Sequence, residues 1–224
     1  ATEQGAALLE TVSAAMKKDA PRMRFLAIGL LTDLTLTPGQ LAALVVDSPE
    51  DEWLRKAIFA SAPDLAPTIL LGLIENKNFA ALPAAISNPV LTDFARLTAA
   101  RGDTAEIAKL LGTLAEDPTP ATFALVKGLS EGLARSPLKQ KNLGALIAAK
   151  LPELGDGTAR LEGVLNQATT IALNREATEE ARLAALTLVS QKPWDEKKEV
   201  VTKLIALTEA PAIQEAACLM LSRD

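Results

Sequence analysis

Apolar residues recur along this chain at the spacing of a helix face, and no stretch sustains the two-residue alternation of a strand. One helical phrase is written in four places, starting at Asp19, Asp47, Glu176 and Glu209. Each copy opens on an acid and a turn-forming residue, then sets an apolar position beside a long polar one. Met23, Leu54, Ala181 and Ile213 align in the first column, and Arg24, Arg55, Arg182 and Gln214 in the second. One turn later Ala27, Ile58, Ala185 and Ala217 share an inward column, with Ile28, Phe59, Leu186 and Cys218 beside them. Repetition of a helix pair at roughly 30 to 45 residues is how stacked helical hairpins look in sequence, each too thin to bury its apolar stripe alone. The pattern predicts an all-α chain of about fourteen helices, with residues 1–224 forming a single repeat domain.

Breaks and caps set the expected boundaries. A helix over residues 3–18 is followed, after Pro21, by a second from Arg22 to Leu34. Thr37-Pro38-Gly39-Gln40 and Ser48-Pro49-Glu50-Asp51 each place a hydroxyl before proline and a side-chain acceptor three residues on. Helices over residues 38–47 and 49–61 are the expected result. Asn88-Pro89 reads as a restart between a short element, Phe79 to Ile86, and a helix from Val90 to Ala100. Gly102 should end that helix, and Asp103 with Glu106 should cap the next. Further helices are expected over Thr122 to Ala134, Leu138 to Lys150, Thr158 to Asn174, Thr178 to Ser190 and Asp195 to Thr208, with Pro211 opening the last.

Composition narrows what such an array does. Leu and Ala fill the interior, because aromatics make up only 3% of the chain and tyrosine is absent. Histidine is absent too, which removes the commonest general base and the commonest metal ligand. A formal charge of −5 disfavours a nucleic-acid partner, whose phosphates need a basic face. No apolar run approaches the roughly 20 residues that span a bilayer, so no membrane insertion is expected. Cys218 falls in an apolar column and is expected to be a small buried hydrophobe. Ala1 in place of an initiator methionine suggests a processed chain or a piece of a longer one.

Candidate chemistry is sparse. Gly128-Leu129-Ser130-Glu131-Gly132 fits G-x-S-x-G, but that motif works on a strand-to-helix turn with a histidine to take the serine proton. Here it falls inside a predicted helix, where Gly128 and Gly132 read instead as small residues that admit a neighbouring helix. Asp156, between two glycines, reads as turn chemistry. Neither a catalytic residue nor a metal or cofactor site is expected. A basic stretch, Lys127 through Arg135, Lys139 and Lys141, is either a solvated face or a docking patch for an acidic partner. Trp53 and Trp194 stand near helix starts, where packing between repeats is the default and an exposed ring would be an interface anchor. The pairs Asp19/Arg24 and Asp47/Arg55, with Arg182 in the same column, read as a polar ladder between repeats.

The phrases at Met23-Arg24, Leu54-Arg55 and Ala181-Arg182 resemble HEAT repeats of the armadillo-type superfamily, from which Ile213-Gln214 departs by losing the arginine. The resemblance implies a right-handed α-α superhelix that serves as a non-catalytic scaffold, docking a protein or the flanking domains of its own chain. Some arrays of this kind act instead on nucleic acid as base-repair enzymes or help attach tetrapyrroles, and these stand as alternatives. More narrowly, the order Met23-Arg24-Phe25, Trp53-Leu54-Arg55, Arg101-Gly102-Asp103, Lys127-Gly128-Leu129-Ser130 and Ala181-Arg182-Leu183 is similar to the helical segment of large secreted bacterial proteins. There it lies between a sugar-dehydrogenase-like β-propeller and a c-type cytochrome domain. That resemblance implies a periplasmic or secreted spacer within a redox protein, with no haem-attachment motif in this chain itself.

Overall fold

The computed structural model describes residues 37–115, 119–206 and 208–221. Among these there is no strand, and twelve α-helices follow one another. They are α1 (Pro38–Asp47), α2 (Glu52–Ser61), α3 (Ala66–Glu75), α4 (Lys77–Ala80), α5 (Ala84–Arg101) and α6 (Thr104–Gly112). The second half continues with α7 (Pro120–Leu133), α8 (Leu143–Ala148), α9 (Gly157–Leu173), α10 (Glu179–Val189), α11 (Trp194–Leu204) and α12 (Pro211–Leu221). Single 3-10 turns at Pro63–Leu65 and Pro152–Leu154 lead into α3 and α9. The helices expected over 3–18 and 22–34, with Asp19 and Arg24, lie outside the described residues.

Local chemistry explains the starts and stops. At α1 the capping box forms: Gln40 N–H donates to Thr37 Oγ1 at 3.3 Å while Thr37 N–H donates to Gln40 Oε1 at 2.9 Å. The next helix starts later than expected, at Glu52 rather than Pro49. Asp51 is its cap, accepting from the N–H groups of Trp53 at 3.0 Å and Leu54 at 3.1 Å. Leaving 48–51 unwound also frees the Pro49 carbonyl, which accepts from Arg55 at 2.8 Å. Gly102 ends α5 in the left-handed conformation, φ 73°, and Asp103 accepts from Ala105 N–H at 2.8 Å and Glu106 N–H at 3.1 Å, as expected.

Two further expectations need correcting. Asn88-Pro89 does not restart the chain, because Pro89 lies inside the continuous α5. The bond it forfeits is to the carbonyl of Ala85, an exposed residue in the first turn of the helix, where water can substitute. The helix expected over Leu138 to Lys150 contracts to α8, capped by Asn142 Oδ1 accepting Ala145 N–H at 2.8 Å. Before it, Lys141 Nζ donates to the Ser136 carbonyl and ties down the turn that follows α7.

Packing follows chain order. One succession of neighbours runs α1, α3, α5, α7, α10, α12, each helix resting on the next. A second runs α6, α9, α11, and α9 against α10 and α11 against α12 join the two. The buried apolar side chains form one continuous cluster from Leu41 to Met220, running through Leu54, Phe94, Leu129 and Val189. Phe59 meets Phe94 edge-on with ring centroids 4.9 Å apart, which fastens α2 to α5. The closest approach is between α5 and α7. A Cβ on Gly128 would run into the Thr92 carbonyl oxygen and sit 2.8 Å from the Ala95 methyl; one on Gly132 would run into the Arg96 carbonyl oxygen and sit 2.7 Å from Ala99. The two glycines are there for packing, and the G-x-S-x-G string has no strand-to-helix turn beneath it.

Candidate functional site

The arginine column is the first feature the folded chain explains. Arg55, only 7% exposed, donates from Nε to Asp93 Oδ2 at 3.1 Å as well as to the Pro49 carbonyl. Arg182, 5% exposed, donates from Nε to the Ala172 carbonyl at 3.0 Å and from a terminal nitrogen to Glu209 Oε2 at 2.8 Å. Gln214, in the same column, keeps half of this role by donating to the Ala206 carbonyl at 2.7 Å. Each of these three therefore satisfies a backbone carbonyl that precedes its own helix, in the connection for Arg55 and Gln214 and in the last turn of α9 for Arg182, and each of the two arginines adds an acid further along the chain. The ladder expected from Asp47 is thus corrected: Asp47 is exposed, and Arg55 reaches forward to Asp93 on α5 instead. Glu209 carries two cations, since Arg175 Nε also donates to it at 2.8 Å. The Arg182 hydrogen bond, and after it that of Arg175, hold the Glu209 carboxyl below the usual carboxylate range against the opposing effect of burial.

From Asp93 the charges continue across the helices. Arg96 pairs with Asp93 at 2.6 Å and with Glu131 of α7 at 3.5 Å, so alternating charges run from α2 through α5 to α7. This chain borders an open groove of about 900 Å³ formed by α5, α7 and α10. α7 and α10 are tied near their C-terminal ends, where Ser130 Oγ donates to Gln191 Oε1 at 2.5 Å. The groove lies along their earlier turns, where Phe123 and Ala124 face Ala181, Ala184 and Leu188. Ser130, the only hydroxyl that the sequence offered as a nucleophile, is therefore engaged by a neutral amide in mid-helix.

The residues singled out from the sequence are not gathered in one place. Lys127 lines the groove from α7, whereas Arg135, Lys139 and Lys141 belong to the turn after that helix and are exposed. Trp53 and Trp194 do not pack between repeats. They are 51% and 40% exposed, with Lys56 Nζ 5.0 Å from the first ring centroid and Lys197 Nζ 5.7 Å from the second. Each sits in the first turn of its helix, outside the face that the apolar stripe commits to the core. Cys218 is also exposed, although its column-mates Phe59 and Leu186 are half-buried and buried; on α12 the buried positions are Ile213, Ala217 and Met220. Both corrections are measurable. Acrylamide is expected to quench both tryptophans in the native protein, and a tryptophan quenched only after unfolding would contradict its placement. A thiol reagent is expected to titrate Cys218 completely without denaturant, and a thiol reactive only after unfolding would contradict its placement.

The groove itself was not visible in the sequence, because its walls come from stretches that share no motif. Asn88 stands at its edge with Oδ1 shut away from water and no donor within reach, as is Gln167 Oε1 on α9. Among the described residues no group of three acids, cysteines or histidines converges on a point, and no single helix is long and apolar enough to cross a membrane. No family model matches the chain, and no curated protein matches it either.

Proposed function

We propose that this chain is a HEAT-like, right-handed α-solenoid that acts without chemistry of its own, as a docking and spacing module for other polypeptide. The observation that carries this reading is the shared role of Arg55 and Arg182. Two residues in the same repeat column, far apart in sequence, are each buried and each tie a backbone carbonyl that precedes their own helix to an acid further along the chain. That is what a repeated unit needs when its neighbour in the file completes its core. The ordered succession of helix contacts and an open groove with mixed charge agree with a surface made to receive a partner. The narrower resemblance would make the partner the flanking propeller and cytochrome domains of an exported redox protein.

Cross-linking of the chain in cell extract, read by mass spectrometry, tests the reading. Reproducible links from Lys127, Lys56 or the Arg135–Lys141 turn to one protein, or to flanking segments of a longer chain, are expected. A survey that yields no reproducible link outside the chain would contradict a docking role.

A further inference from the structure

The helix α7 is held very differently on its two sides. Against α5 it leaves no room, since a Cβ on Gly128 or Gly132 would strike the backbone of α5. From α10 it stands apart along the groove, and the two helices meet only near their C-terminal ends. Gln191 is the junction there. Its side-chain oxygen accepts from Ser130, its amide nitrogen donates to Ser190 Oγ at 3.2 Å, and its own carbonyl accepts from Gly144 N–H of α8 at 3.0 Å. A second contact joins the same two parts of the molecule through α6 and α9. Gly157, at the start of α9, lies so close to Leu111 that an added Cβ would sit 2.7 Å from the leucine Cβ. Beside it Arg160 donates to the Gly112 carbonyl at 3.1 Å.

Charge follows the same division. The pairs Arg55–Asp93, Arg96–Glu131 and Arg101–Glu106 lie on the α1–α7 side. Arg175–Glu209, Arg182–Glu209 and Lys192–Glu196 lie on the α9–α12 side. The chain passes between the two sides through residues 134–156 and, just before α9, turns at Gly155 with φ 49° and ψ −134°. That is the region of a type II′ turn that glycine occupies, and a Cβ there would meet nothing within 4 Å.

We infer that the molecule is hinged at this seam. The α1–α7 and α9–α12 parts move as two bodies about the α6–α9 contact, and the Ser130–Gln191 hydrogen bond is the catch that sets the width of the groove. The catch suits a hinge because it joins two neutral, half-buried side chains, and its net worth is that of one ordinary hydrogen bond. Interlocked backbone of the kind that α5 and α7 share would fix the width outright. A single side-chain tie opens and closes again while each body keeps its own core contacts and ion pairs. With the catch undone, the walls that carry Lys127 and Glu180 separate. The hinge is a property of the fold whatever the groove receives, so it stands apart from the docking role.

Pulsed electron paramagnetic resonance on the whole chain tests it. Cys218→Ser removes the native thiol, and spin labels go on Lys127→Cys and Glu180→Cys, both exposed and on facing walls. Two inter-label distances are expected, with the shorter one dominant. Ser130→Ala and Gln191→Ala should each raise the population at the longer distance about fivefold relative to the shorter, the equivalent of one net hydrogen bond. Gln191→Glu still offers an acceptor and should leave the shorter distance dominant. A control pair at Lys56→Cys and Lys127→Cys lies wholly on the α1–α7 side and should give one distance in every variant. A single distance between positions 127 and 180 that neither alanine variant changes overturns the hinge. So does a change that appears equally in the control pair, which would mean general loosening rather than motion at the seam.

Discussion

Gly132→Ala is expected to lower stability by about 3 kcal/mol, although alanine is the better helix former by about 1 kcal/mol. The added Cβ meets the Arg96 carbonyl oxygen, the Ala99 methyl at 2.7 Å and the Ala100 nitrogen at 2.9 Å. Two of these are backbone atoms of α5 and cannot swing aside, so α5 and α7 must separate along the most extensive helix contact among the described residues. Gly128→Ala should behave in the same way, through the Thr92 carbonyl oxygen. Gly163→Ala is the control: it lies inside α9 with nothing within 4 Å of the added atom. It should gain about 0.5 to 1 kcal/mol from helix propensity alone. Urea midpoints of the three variants give the comparison, and a Gly132→Ala variant as stable as Gly163→Ala would show that α5 and α7 are not in such contact.

Arg182→Met is expected to cost about 2 to 3 kcal/mol, because the stem is replaced while two buried acceptors lose their donor. The Ala172 carbonyl and Glu209 Oε2 are those acceptors, and the Glu209 side chain is only 5% exposed. Arg175 remains to offset part of the charge, but it is 61% exposed and holds only the other oxygen. The cost depends on pH in a defined direction. Glu209 is more acidic folded than unfolded, so its pairing contributes fully above the ordinary carboxylate pKa of about 4.3 and is lost as pH falls through the lowered folded value. The stability gap between wild type and Arg182→Met should therefore be largest near neutrality and shrink toward about pH 3. Urea melts at the two pH values measure it, and a gap that stays constant would mean that Glu209 is not the partner that matters.

What could be read in the sequence was whatever local chemistry decides. The Thr37–Gln40 capping box, the left-handed stop at Gly102, the Asp103 cap and the proline start of α12 need only the few residues around them. The packing role of Gly128 and Gly132 was legible because paired small residues one turn apart have few other uses in a helix. The forward partner of Arg55 was not. Asp93 lies 38 residues away, and only the stacking of α2 on α5 brings it near, so the nearer Asp47 was preferred. Pro89 misled because a proline usually marks a boundary, yet one in the second turn of a helix loses a single bond at an exposed carbonyl. For Trp53 and Trp194 the sequence leaves packing between repeats and an exposed anchor both open, and only the position of the core stripe on the folded helices places both rings outside. The groove needed three helices in position at once, and no single stretch announces that.

In the proposed solenoid each helix finds its core in the next along the file, so that stability is local rather than shared by one central core. Amide hydrogen exchange on Ile213→Ala tests it most directly, because Ile213 is fully buried in α12, the last described helix. The account predicts that protection falls in α12 and in α10 and α11 beside it, while α1, α3 and α5 keep the rates of the wild-type protein. A loss of protection spread evenly from α1 to α12 would contradict it.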